Sequence, residues 1–67
     1  MGLAYEAFVD IWRLARKYRF QKLDDKRWEQ FIADADKLLG RYRKTEAETL
    51  FRYLFKAVHD YYEQISV

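Results

Sequence analysis

The chain has 67 residues and a formal net charge of +2. It holds no cysteine and one histidine, which excludes disulfides, thiolate chemistry and a zinc site built from Cys and His. With 51% hydrophobic and 19% aromatic residues, the expected organisation is one domain held by a dense core rather than by staples.

Proline is absent, and glycine occurs only as Gly2 and Gly40. Such a composition favours helix. A first helix is expected over about 2–20, because Ala4, Phe8, Ile11, Ala15 and Tyr18 recur at helical steps of four and three. Tyr5 and Trp12 widen that stripe, and Trp12 is expected in the core. The helix ends in a basic run, Arg13, Arg16, Lys17 and Arg19, followed by Lys22.

A second helix is expected over about 25–42, with Trp28, Phe31, Ala35, Leu38 and Tyr42 on one face. Asp24 is placed to cap it by accepting amide hydrogens of the first turn. Leu23 and Trp28 have the spacing of a hydrophobic staple around that cap. Gly40 could end the helix in a left-handed conformation, yet Tyr42 continues the apolar stripe beyond it.

A third helix is expected over about 45–65, led by a capping box of Thr45 and Glu48. Ala47, Phe51, Leu54, Val58, Tyr61 and Ile65 form its stripe, centred on Leu54. Short connections between neighbours imply an all-α, up-down-up three-helix bundle. No internal repeat or low-complexity tract is visible.

The runs "YEAFVDIWRLARKY" and "WEQFIADADKLLGRY" resemble a group of short uncharacterised proteins of Gram-positive bacteria. Tyr5, Phe8, Trp12, Tyr18, Trp28, Glu29, Leu38 and Tyr42 carry the resemblance, which covers roughly the first two thirds of the chain. It implies a helical fold and a bacterial cytoplasm. It brings no activity and no functional residue.

Catalytic chemistry finds little support. Ser66 is the only serine and sits near the end of the third helix, where fraying is expected. Asp24, Asp25, Glu46 and Glu48 lie at helix starts, where the macrodipole favours negative charge. His59 and Glu63 are one helical turn apart, but two ligands make no metal site. Asp34 and Asp36 point to different faces. No enzyme activity, metal or cofactor is expected. No apolar stretch approaches the roughly 18 residues of a membrane span, so a cytoplasmic protein without membrane association is expected.

Two binding roles remain. A nucleic-acid contact would use Arg13, Arg16, Lys17 and Arg19, interleaved with Tyr18 and Phe20. Against it, the second helix opens on two aspartates, and the other basic cluster (Arg41, Arg43, Lys44) belongs at the opposite pole. The favoured role is a protein-interaction module, most simply a homo-oligomer. Around the third helix, Phe55, Tyr62 and Tyr53 fall about 80–100° from the Leu54 centre. They are the expected interface, with His59 at its rim. Leu3, Ala7 and Leu14 of the first helix are the alternative surface.

Overall fold

Three α-helices order this computed structural model, which describes residues 2–66. They are α1 (Leu3–Lys17), α2 (Asp25–Tyr42) and α3 (Glu48–Ser66). No strand occurs among the described residues. The helices pack as an up-down-up bundle.

The start of α2 has a local cause. The Asp24 carboxylate accepts the Arg27 amide hydrogen at 2.8 Å, satisfying one of the orphan donors of the first turn. Leu23 is buried, and Trp28 packs against the same cluster.

The end of α1 and the start of α3 differ from those expected, whereas α2 ends at Tyr42 as expected. α1 stops at Lys17, because Tyr18 leaves the helix with φ −96. Arg19 and Phe20 then both adopt left-handed backbone, with φ 58 and 54. Each such residue without a glycine costs on the order of 1 kcal/mol. Phe20 is compensated: its amide donates to the Tyr62 hydroxyl at 3.0 Å. Its ring also stacks on Tyr62, with an interplanar angle of 9°.

Gly40 does not end α2, which runs on to Tyr42. α3 starts at Glu48 rather than near 45. The capping box is displaced by one residue. Thr45 Oγ1 accepts from the Ala47 amide at 3.2 Å. The Glu48 carboxylate accepts from the Lys44 amide at 3.1 Å, not from Thr45. Lys44 is itself left-handed, with φ 64. At the far end, Ser66 Oγ accepts the Leu23 amide hydrogen at 3.0 Å, tying α3 to the α1–α2 connection.

The core has two layers. Leu14, Tyr18, Leu23, Phe31, Ala35 and Tyr62 fill one. Ala7, Ile11, Tyr42, Ala47 and Phe51 fill the other. Leu38, Phe55 and Val58 pack against both. Trp28 and Leu54 are half-buried at the margins of these layers. Trp12, expected inside, is 55% exposed.

α1 and α2 are joined by two matching polar braces. Tyr18 Oη and Lys17 Nζ both donate to Asp34, each at 2.7 Å. Tyr42 Oη donates to Asp10 at 2.5 Å, and Arg41 reaches the same carboxylate at 3.0 Å. The same spacing separates Asp10 from Tyr18 and Asp34 from Tyr42, and a cation precedes each tyrosine. "DIWRLARKY" and "DADKLLGRY" are therefore a weak repeat, contrary to the expectation of none. In an antiparallel helix pair it makes each C-terminal tyrosine reach the middle of the other helix.

Burial, and then the bond to Asp34, pushes the Tyr18 hydroxyl up to about 12. Burial and the bond to Asp10 do the same for Tyr42, again to about 12. Desolvation raises the Asp34 carboxyl, but the bonds from Lys17 and Tyr18 outweigh it and hold it below its ordinary value. Among the described residues, no buried side-chain nitrogen or oxygen lacks a partner.

Candidate interaction surface

The expected interface on α3 is largely internal. Tyr62 is fully buried. Its hydroxyl donates to the Ala15 carbonyl at 2.5 Å and accepts from Phe20. Burial raises that hydroxyl above its ordinary value, while the Phe20 amide offsets part of the rise. Phe55 is half-buried, its ring 5.6 Å from Phe31. His59 sits between Phe55 and Trp28, with ring centroids 5.8 and 5.2 Å away. Its Nδ1 lies 3.3 Å from Asp60. Phe55 and His59 thus form the joint between α2 and α3. Of the four, only Tyr53 stands free, at 70% exposure.

The cause is a rotation of α3. Its buried arc runs through Phe51, Phe55, Val58 and Tyr62, not around Leu54. Counted at 100° per residue, that arc lies about 70° from the expected centre, toward α2. Tyr61, expected inside, is left outside.

α1 is rotated as well. Its inward residues are Ala7, Ile11, Leu14 and Ala15, with the Asp10 carboxylate beside them. Ala7 and Leu14, offered above as an alternative surface, are buried, and Leu3 is half-buried. The small side chains of Ala7 and Ala15 allow α1 to approach closely, so the large rings of α1 are displaced to the outside.

What results is an exposed aromatic face. Tyr5, Phe8 and Trp12 recur along the outer flank of α1, and each is more than half exposed. The left-handed turn brings Phe20 back beside Trp12, with ring centroids 6.0 Å apart. Phe20 in turn meets Tyr61 of α3 edge-on at 5.9 Å. A shallow depression of about 320 Å³ lies between Phe20, Ala57, Val58 and Tyr61. Tyr62 supports Phe20 and Tyr61 from beneath.

No family model, no curated protein and no solved structure matches the chain. The geometry of its own residues therefore carries every functional statement below.

The basic run splits between the two flanks of α1. Lys17 is bound to Asp34. Arg13 lines the groove over the polar seam, with Asp10, Asp34 and Lys37. Arg16 and Arg19 are exposed and form no ion pair among the described residues. Arg16 lies one turn beyond Trp12 and continues the row of rings. Arg19 directly precedes Phe20.

Among the described residues, no group of three or more His, Asp or Glu side chains converges as metal ligands. No helix is long and apolar enough to cross a membrane.

Phe8 belongs to the stripe expected inside, which Tyr5 and Trp12 widen, and Ala7 and Leu14 to the surplus beside it. Ala7, Ile11 and Leu14 nevertheless form an equally regular stripe, and it is the one that is buried.

Proposed function

We propose that the chain is a small non-enzymatic interaction module that self-associates through the aromatic face of α1, Phe20 and Tyr61. The observation supporting this is the continuity of that face. Contiguous apolar patches beyond a few hundred Å² mark interaction sites on soluble proteins. Five half-exposed rings exceed that limit, and no element among the described residues covers them. Aromatic residues and arginine are the side chains most enriched at interface centres. The lack of cysteine fits a reducing cytoplasm as the place of action.

Nucleic acid is the second reading, favoured by Arg16 and Arg19 beside exposed rings. It is weakened by the loss of Lys17 to Asp34 and by the position of Arg13 on the other flank. Only part of the basic run faces the rings.

Solution mass as a function of concentration tests the proposal. The wild type should move from monomer toward dimer as concentration rises. Phe8→Ala with Trp12→Ala should remain monomeric with unchanged helix content. A wild type that stays monomeric throughout removes the proposal. Association with duplex or single-stranded DNA that collapses as salt rises promotes the second reading.

A further inference from the structure

The outer row of α1 has an order that self-association alone does not require. Tyr5, Phe8 and Trp12 are followed at the next turn by Arg16 and then by Phe20 beside Trp12. The N-terminal half of the row is aromatic and uncharged, while the C-terminal half carries Arg16 and Arg19. Reversed about Trp12, the row complements itself. Phe8 and Arg16 exchange places, each one turn from the centre. Phe20, held beside Trp12, stays near the centre in both copies.

We infer that the occupant of this face is a second copy seated antiparallel, α1 against α1, with Trp12 near the two-fold axis. The inference rests on the self-association proposed above. In this seating each Arg16 guanidinium lies over the partner's Phe8 ring, a cation–π arrangement. The two Arg16 side chains then stand about 12 Å apart, from eight residues at 1.5 Å each. A parallel seating would bring the two Arg16 charges together, a like-charge contact that disfavours it. Two-fold symmetry lets one patch serve both sides.

The area is sufficient. Rings of this kind bury about 150–250 Å² each, so five half-exposed rings offer roughly 500 Å² per copy. A standard interface takes about 800 Å² per partner. The stem of Arg16, together with Val9, Ala57 and Tyr53, supplies the margin. The row from Tyr5 to Arg16 spans about 17 Å at 1.5 Å per residue, along a molecule 34 Å long.

The absence of cysteine makes the test clean. Arg13→Cys and Ala4→Cys are made separately, spin-labelled, and measured by pulsed dipolar spectroscopy at a concentration where the wild type is dimeric. Arg13 is one residue from Trp12 along α1, and Ala4 is exposed near the start of the same helix. The antiparallel seating gives a short separation at Arg13 and one of about 20 Å or more at Ala4. In parallel, Arg16→Glu should weaken dimerisation roughly tenfold, because two cation–π contacts are lost.

Short separations at both positions mean a parallel pair, which overturns the seating while self-association stands. Long separations at both mean that another surface is used, which overturns the seating and moves the interface. A chain that stays monomeric at every concentration, or that binds an oligothymidylate as a monomer, overturns both the seating and the self-association beneath it.

Discussion

The two flanks of α1 contrast sharply. Toward α2 the flank is polar and bonded across the seam: Asp10 to Tyr42 and Arg41, Glu6 to Arg41, Lys17 to Asp34. Toward α3 and solvent it is aromatic and leaves half of each ring uncovered. A small bundle uses directional bonds where helices must find one register. It leaves non-directional surface where a partner is still to come. The comparison predicts that damage to the inner layers shows up as lost stability, while damage to the outer rings shows up as lost association.

The largest effect is expected beneath the aromatic face. Tyr62→Ala removes a fully buried ring and two hydrogen bonds. The loss should be about 3–5 kcal/mol, from the lost burial and the cavity together. For a domain whose total stability is about 5–15 kcal/mol or less, that approaches unfolding. Trp12→Ala, one layer outward, should stay within about 0.5 kcal/mol in the monomer. Thermal melts of both variants at low concentration measure the difference, and equal losses would erase the distinction between the layers.

The polar seam can be graded in the same way. Tyr42→Phe leaves the Asp10 carboxylate, on a side chain 10% exposed, with Arg41 as its remaining partner. It should cost about 1–3 kcal/mol, as for a buried acceptor losing its donor. Tyr18→Phe should cost less, because the Asp34 side chain is 26% exposed and water can replace the hydroxyl. Chemical denaturation of the two variants gives the order. The reverse order would show that exposure of the carboxylate does not control the cost.

Alkaline pH probes both braces at once. The Tyr18 and Tyr42 hydroxyls are raised from 10.0 to about 12 in the folded chain. Over that interval the unfolded chain releases protons that the folded chain keeps. The unfolded state then binds fewer protons, so stability falls as pH rises from about 10 toward 12. At lower pH both states are protonated, and the full contribution is present. In Tyr42→Phe the fall should be shallower by one group. The same slope in wild type and variant would mean that Tyr42 titrates normally.

The existence and order of the helices follow from patterns that any helix must obey: regular apolar steps, a capping aspartate and scarce glycine. Rotation about each helix axis was less legible. α1 carries apolar residues on most of its circumference, so Ala4–Phe8–Ile11 and Ala7–Ile11–Leu14 are both valid stripes. Deciding between them requires the neighbours. Two alanines permit close packing of the second stripe, and Asp10 beside it finds Tyr42 and Arg41 across the interface. The same ambiguity placed Tyr62 outside and Tyr61 inside on α3. The turn at Arg19 and Phe20 was hidden for another reason. Neither residue is glycine, and the Phe20 amide donates its hydrogen bond to a tyrosine far along the chain.

The smallest effect concerns the far end of the seam. Gly40 lies inside α2, not in a left-handed cap, and Tyr42 beyond it must stay helical to reach Asp10. A Cβ added at Gly40 meets no atom within 4 Å. Gly40→Ala therefore adds no clash, reduces the freedom of the unfolded chain and improves helix propensity. The gain should be about 0.4–1 kcal/mol. In a domain of this size that raises the thermal midpoint by a few degrees, roughly 4–8 °C per kcal/mol. Association should be unchanged, because Gly40 belongs to α2 and not to the outer row of α1. A lowered midpoint would mean that the backbone at Gly40 needs a conformation alanine cannot adopt. A raised midpoint with altered dimerisation would mean that the polar seam and the aromatic face are coupled through α1, not independent as their separate partners imply.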